Sequence, residues 1–107
     1  KYDFKILADE CYSEIYRNEP PVGALEIASG MGANPDRVVI FHSLSKRSNL
    51  PGLRSGFAAG GERSIMELKT MRAYSGAPLP LPLQPMLEMV YVLQHPYLGW
   101  SVQVSLP

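Results

Sequence analysis

The chain has 107 residues, enough for one small domain, and its ten basic and ten acidic side chains cancel to a net charge of zero. This balance argues against nucleic acid or an anionic membrane as partner, and no apolar run approaches the roughly 20 residues of a membrane span. The single cysteine, Cys11, cannot form an internal disulfide, which favours a reducing, cytoplasmic setting.

The first residues of the chain resemble the interior of a fold. Lys1 to Ala8 run directly into an apolar strand, without an initiator methionine or a polar leader. We therefore expect the chain to be a fragment of a longer protein. A fragment with few strands buries a small share of its surface, so its stability alone is expected to be low.

Two parallel strands are predicted in the first half of the chain. Phe4–Ala8 is mostly apolar and is followed by acidic residues, which is typical of a buried strand in an α/β sheet. Arg37–His42 is β-branched and apolar and is the clearest strand. A proline-containing loop and a short helix at Ala24–Ser29 lie between them. If the two strands are parallel neighbours, this segment is a right-handed crossover.

The second half begins with a Ser- and Gly-rich loop from Ser43 to Ser55, followed by a small-residue strand, Gly56–Gly60. Because the connection is short, we expect this strand to run antiparallel to the preceding one. Apolar and charged residues alternate at helical spacing over Glu62–Tyr74, and Glu62 stands in the first turn, so a helix is predicted there.

Alternate prolines between Ala77 and Leu83 exclude regular secondary structure, because they remove donors and fix the backbone near polyproline II. By itself this segment is either a rigid linker or a proline-rich ligand. Pro85–Gln94 is predicted to start another helix, and His95–Pro107 shows no dependable period.

Familiar ligand motifs are missing from the sequence. His42 and His95 are isolated, and a lone histidine is more often structural than catalytic. The glycines between Ser55 and Gly61 do not follow the G-x-G-x-x-G spacing of a dinucleotide site.

Two clusters carry reactive side chains: Asp9–Tyr12, and Ser43–Lys46 with Arg54 eight residues after the lysine. Singly, each residue has a structural explanation, such as a cap, a half-buried aromatic or a solvated lysine. Together they follow the carboxyl ends of two parallel strands, where α/β sheets bind ligands. A carboxylate, a phenol, a hydroxyl and an amine at one edge are groups that a pyridoxal phosphate site needs, and an arginine matches two phosphate oxygens at once.

Three motifs at matching spacings carry a family resemblance: Asp9-x-x-Tyr12, Ser43-x-Ser45-Lys46 and Arg54-x-Gly56. They resemble the class I/II aminotransferases of fold type I, which depend on pyridoxal 5'-phosphate. The residues around the motifs are most similar to bacterial succinyldiaminopimelate aminotransferases. The resemblance implies an α/β fold that is part of a three-layer α/β/α large domain. Residues 1–84 would be the central part of this cofactor-binding domain, and residues 85–107 a divergent or truncated segment.

The resemblance also implies a role for each residue. Asp9 would pair with the pyridinium nitrogen of pyridoxal phosphate, and Tyr12 would hydrogen-bond its phenolic oxygen. Ser43 and Arg54 would bind the phosphate. Lys46 would be the catalytic residue, holding the cofactor as a Schiff base and then moving the proton from the substrate Cα.

The implied activity is transfer of an amino group between an amino acid and a keto acid. The implied substrates are N-succinyl-diaminopimelate and glutamate, in lysine synthesis. The resemblance also implies a cytoplasmic homodimer. A lyase or decarboxylase would keep the same residues, because the cofactor performs the shared step. A transcriptional regulator with an aminotransferase-like domain, or a non-catalytic fragment, are further alternatives. Several family site residues are expected outside this sequence, so the isolated chain is predicted to be inactive.

Overall fold

The computed structural model describes residues 2–75, 81–83 and 85. Three strands and three helices follow one another along the chain: β1 (Ile6–Asp9), α1 (Ala24–Gly30), β2 (Val38–Ser43), α2 (Leu44–Arg47), β3 (Gly56–Gly60) and α3 (Glu62–Tyr74). Short 3-10 turns occupy Pro35–Arg37, Pro51–Leu53 and Leu81–Leu83. Among the described residues, no helix is long and apolar enough to cross a membrane.

The three strands form one mixed sheet in the order β1-β2-β3. β1 and β2 are parallel and β2 and β3 are antiparallel, so both predicted pairings are confirmed. The first strand was predicted at Phe4–Ala8 but lies at Ile6–Asp9. The strand begins later than predicted because the first residue of β2, Val38, pairs with Ile6, so Phe4 and Lys5 have no partner in β2.

The loop predicted from Ser43 to Ser55 is more ordered than expected. Its first part is the single-turn helix α2, and Pro51–Leu53 forms a 3-10 turn. The proline-rich segment also departs from prediction, since Leu81–Leu83 forms a 3-10 turn. The predicted helix at Pro85–Gln94 lies outside the described residues except for its first position, and the tail from His95 lies wholly outside them.

The main cluster of buried apolar residues is small and lies where α2 packs against β3. Leu44 is fully buried and packs with Phe57 of β3, and three partly buried apolar side chains surround them: Leu50, Leu53 and Ala59. By contrast, Phe4, Ile6 and Leu7 on and before β1 are 62%, 46% and 68% exposed. Much of the apolar surface of β1 is therefore not covered by the described part of the chain.

Asp36, which lies outside α3 in the sequence, caps the N-terminus of this helix. The N-cap residue of this helix, Gly61, has no side chain to offer. Instead, Asp36 Oδ1 accepts hydrogen bonds from the backbone N–H groups of Arg63 (3.0 Å) and Ser64 (3.4 Å). The Ser64 hydroxyl donates in return to the Asp36 carbonyl at 2.6 Å. These bonds satisfy two of the orphan donors of the first helical turn.

Replacement of Asp36 by alanine is expected to lower the free energy of unfolding by about 1 kcal/mol, the usual cost of a lost helix cap. Asp36→Asn keeps an acceptor oxygen and should recover most of that loss. Urea denaturation of the three proteins would measure it. Equal midpoints for Asp36→Ala and the wild type would show that the cap does not stabilise α3.

Candidate functional site

The carboxyl ends of β1 and β2 lie side by side, and we call this end of the pair the carboxyl edge. Asp9 is the last residue of β1 and Ser43 the last of β2. Asp9 is in register with Phe41, two residues before Ser43. Because side chains alternate between the two faces of a strand, Asp9 and Ser43 project from the same face of the sheet. The two residues predicted to bind opposite ends of one ligand thus share an edge and a face.

Asp9 is held in its charged form. Its carboxylate Oδ1 accepts a hydrogen bond from the backbone N–H of Cys11 at 3.1 Å. The hydrogen bonds from the Cys11 thiol and from this N–H lower the pKa of Asp9 below its usual value. An exposed carboxylate that stays ionised is suited to hold a proton on a heterocyclic nitrogen.

The thiol of Cys11 is affected in the opposite direction. Burial, and then the neighbouring Asp9 carboxylate, raise the pKa of Cys11 to about 11 from a usual 9.0. The thiolate is the nucleophilic form of cysteine, so Cys11 is unreactive near neutral pH. Its place at the edge therefore does not make it a candidate nucleophile.

Alkylation of Cys11 should accordingly be slow at pH 8, because a rise in pKa from 9.0 to about 11 leaves about a hundredfold less thiolate. Asp9→Asn removes the charge and should move the rise in rate to lower pH. Asp3→Asn is the matched control, because Asp3 pairs with Arg37 and its charge is not among those that raise the pKa of Cys11. Iodoacetamide labelling followed by peptide mass spectrometry across pH would measure the rates. An unchanged pH profile in Asp9→Asn would contradict the assigned cause.

Lys46 is placed by the one-turn helix α2. Ser43 is the N-cap of this helix, and its Oγ accepts from the backbone N–H of Ser45 at 3.2 Å. Leu44 anchors the turn in the core, and its backbone N–H donates to the Ser55 carbonyl at 3.0 Å. The Ser43 hydroxyl still has its proton to donate, because a hydroxyl both donates and accepts. The amine of Lys46 is thereby carried on a fixed turn directly after β2.

Tyr12 meets Lys46 across the carboxyl edge. A turn follows β1, in which the N–H of Ser13 donates to the Glu10 carbonyl and that of Ile15 to the Tyr12 carbonyl. Lys46 Nζ lies 5.9 Å from the centre of the Tyr12 ring, within the range of a cation–π contact. The structure thus brings together two predicted site residues that are 34 positions apart in the sequence.

Arg54 has a constrained backbone. It follows the 3-10 turn Pro51–Leu53 with φ 50° and ψ 39°, a left-handed conformation that is uncommon for a residue with a side chain. Its Nη1 donates to the Pro51 carbonyl at 3.1 Å. Two residues later, Gly56 pairs with Ser43 in the antiparallel ladder. This register places the backbone of Arg54 two residues before the partner of Ser43.

Lys46 and Arg54 differ from four of the other described cations. Within the described residues, no carboxylate forms an ion pair with Lys46 or Arg54. Four other cations, all away from the edge or behind it, do have carboxylate partners: Lys5, Arg37, Arg47 and Arg63. Unpaired positive charge beside a free hydroxyl suits an anionic ligand such as a phosphate ester.

One contact near the site had no signal in the sequence. His42 is isolated along the chain, yet its Nε2 lies 3.4 Å from Glu10 Oε2, and its ring stacks on Phe57 with centroids 5.0 Å apart. Burial, and then the charge of Arg47, lower the pKa of His42, although Glu10 and Glu14 act in the other direction. The imidazole is therefore neutral near pH 7, with its Nε2 beside the Glu10 carboxylate. His95 lies outside the described residues.

Residues 1–91 match the family described as aminotransferase class I and II. The 4-dedimethylamino-4-oxo-anhydrotetracycline transaminase OxyQ of Streptomyces rimosus is 39% identical over 79 residues, which are 74% of this chain and 22% of that protein. The LL-diaminopimelate aminotransferase of Aquifex aeolicus is 39% identical over 69 residues, 64% of this chain and 17% of that protein.

A solved structure shares the fold. The aminotransferase from Neisseria meningitidis Z2491 superposes with a TM-score of 0.67 at 44% identity, covering 76% of this chain and 21% of that one. The predicted fold class, α/β and part of the large domain of this family, is confirmed. The chain spans about a fifth of the length of these relatives. With 91 of its 107 residues matched, the chain belongs to the class I and II aminotransferase family.

Proposed function

We propose that this chain supplies the cofactor-anchoring part of a pyridoxal-phosphate-dependent aminotransferase, which moves an amino group between an amino acid and a keto acid. The family depends on pyridoxal 5'-phosphate. The observation that carries the proposal is the carboxyl edge itself. A charged carboxylate, a capped hydroxyl and the Lys46 amine lie there, and Arg54 stands two residues before Gly56, the strand residue that pairs with Ser43.

The residues fit the chemical demands of this cofactor. The bound cofactor supplies an electron sink that stabilises negative charge at the substrate Cα. Asp9 holds the proton on the ring nitrogen, and the hydrogen bonds that keep its carboxylate ionised serve this purpose. The Ser43 hydroxyl and the Arg54 guanidinium would bind the phosphate. The Tyr12 hydroxyl would donate a hydrogen bond to the phenolic oxygen of the ring.

Lys46 has the central role in the proposal. Its Nζ would hold the cofactor covalently, and its amine, when free, would move the proton at the substrate Cα. Because α2 is capped by Ser43 and anchored by Leu44, this amine is held in one region of the edge. Rate depends steeply on such positioning.

For substrates, we propose an amino donor such as glutamate and a diaminopimelate-type partner. The resemblance of the motif residues to succinyldiaminopimelate aminotransferases supports this choice, as does the likeness to the Aquifex LL-diaminopimelate aminotransferase. A second relative of similar identity acts on a tetracycline precursor by its name, so the acceptor panel must include bulky ketones.

The proposal is tested on the protein encoded by the complete reading frame. Pyridoxal phosphate is added, the lysine–cofactor bond is fixed with borohydride, and the protein is mapped by mass spectrometry. The label should appear on the peptide that contains Lys46 and not on those with Lys5 or Lys69. Transfer from glutamate to a keto acid should accompany it. No label, or a label on another lysine, would refute the assignment, and release of carbon dioxide or ammonia without amino transfer would indicate a lyase.

The isolated 107-residue chain is expected to show no measurable amino transfer. In the described part of the chain the apolar β1 surface is exposed and the core is small, and the resemblance places several site residues outside this sequence. An assay with glutamate and 2-oxo acids, run beside the protein from the complete reading frame, would measure this. Comparable turnover by the two would show that these residues alone form a working site.

A further inference from the structure

Glu10 and His42 form a pair directly behind the carboxyl edge. Their side chains are 16% and 11% exposed, and His42 Nε2 lies 3.4 Å from Glu10 Oε2. Two further side chains adjoin the pair. His42 stacks on the ring of Phe57. Arg47 Cζ lies 5.6 Å from the centre of the same ring, and Arg47 Nε lies 3.6 Å from Glu14 Oε1. The proposed chemistry uses none of these groups.

The pair is placed on the opposite face from the proposed ligands. Glu10 follows Asp9 in the chain and His42 precedes Ser43, so alternation along each strand turns them the other way. Asp9 and Ser43 thus face one side of the sheet, and Glu10 and His42 tie the same two strand ends together from the other side.

Glu10 also joins the two strands to a helix. Its backbone N–H continues the parallel ladder by donating to the Phe41 carbonyl at 2.9 Å. Its second carboxylate oxygen, Oε1, accepts from the backbone N–H of Ala24 at 2.7 Å, the first residue of α1. One side chain therefore fixes the end of β1 against α1 and against β2, and the His42–Phe57 stack extends the connection to β3.

His42 lowers the stability of the fold through one of its ring nitrogens. Its Nδ1 is buried and has no hydrogen-bond partner among the described residues. A buried polar atom without a partner destabilises a fold, whereas an apolar side chain would pack beside Phe57 without this penalty. The contact with Glu10 is the interaction that only the imidazole provides.

We propose that Glu10 and His42 are positioning residues, which set the spacing between Asp9 and Ser43 and so the fit of pyridoxal phosphate. This inference rests on the proposed function. Neither residue touches the cofactor in the proposed arrangement. Loss of the pair lets the two strand ends shift relative to each other, so the ring-nitrogen and phosphate ligands no longer match one molecule.

The test compares Glu10→Gln, His42→Gln and the double variant in the protein encoded by the complete reading frame. Glu10→Gln keeps an oxygen for Ala24 and should fold. The Kd for pyridoxal phosphate, measured by absorbance titration, is expected to rise about tenfold in each single variant, the weight of one polar contact with a charged group. In the double variant the increases should not multiply, because the same contact is lost. Glu26→Gln, an exposed acid in the first turn of α1, is the matched control and should leave the Kd unchanged.

Thermal unfolding separates positioning from stability. A purely structural role would lower the melting temperature and leave the Kd of the folded protein unchanged, which would overturn the inference. Wild-type Kd values in both single variants would do the same, while the proposed function would stand. If the wild type itself binds no pyridoxal phosphate, the proposed function fails and the inference fails with it.

Discussion

Replacement of Lys46 by alanine is expected to abolish the covalent link to pyridoxal phosphate and to lower amino transfer by about 10²- to 10⁴-fold or more, the usual weight of a positioned acid–base group. Lys46 is exposed on α2, and alanine is the best helix former, so the fold should tolerate the change. Borohydride labelling and steady-state kinetics on the protein encoded by the complete reading frame would measure both effects.

Two further variants show whether the amine or only its charge matters. Lys46→Arg keeps a positive charge that does not deprotonate in proteins, so it should be as inactive as Lys46→Ala if the amine carries the proton. Lys69→Ala removes a lysine from α3, away from the edge, and should behave as the wild type. Full labelling in Lys46→Ala, or recovered turnover in Lys46→Arg, would contradict the role given to Lys46.

Local patterns in the sequence predicted the regular elements well. The bounds of β3 and α3 agree with the prediction, because each is decided within its own residues. Gly56–Gly60 is a run of small residues with one aromatic, bounded by Ser55 and Gly61, and α3 has helical spacing. The antiparallel pairing of β2 and β3 followed from their short connection.

The α2 turn was not predicted, although its signals are present in retrospect. Ser43 is a favoured N-cap residue, and its Oγ does accept from the N–H two residues on. A helix of four residues is too short for a periodic pattern, however. Its stability comes from the burial of Leu44 against Phe57, a contact that the local sequence does not indicate.

The site could be predicted as a set of residues but not as a geometry. The parallel register puts Asp9 and Ser43 at one edge, and this followed from strand order alone. The pairing of Glu10 with His42 could not be foreseen, because it joins residues 32 positions apart through that register and through the faces on which they lie. Contacts of this kind depend on tertiary packing, which a single sequence does not reveal.

Gly56→Ala is expected to disturb both the fold and the site. A Cβ at this position would lie 2.4 Å from the His42 carbonyl oxygen, and because that atom belongs to the backbone of β2, the strands must separate. Overpacking of this kind costs about 1–3 kcal/mol of stability. Gly56 also pairs with Ser43 and lies two residues after Arg54, so both proposed phosphate ligands should move. A displacement of about 1 Å at a reacting centre can cost about 10²-fold in rate.

Gly60→Ala separates the loss of stability from the loss of cofactor binding. Its Cβ would lie 2.5 Å from the Val38 carbonyl oxygen, a nearly equal clash at the far end of β3. Both variants should therefore lose stability, whereas only Gly56→Ala should weaken pyridoxal phosphate binding and amino transfer in the folded protein. Gly52→Ala, which would have no described atom within 4 Å of its Cβ, should change neither the stability nor the binding. Denaturant unfolding beside cofactor titration would measure the two losses. Equal loss of binding in Gly56→Ala and Gly60→Ala would mean that cofactor affinity follows global stability, and not the position of Arg54 beside Ser43.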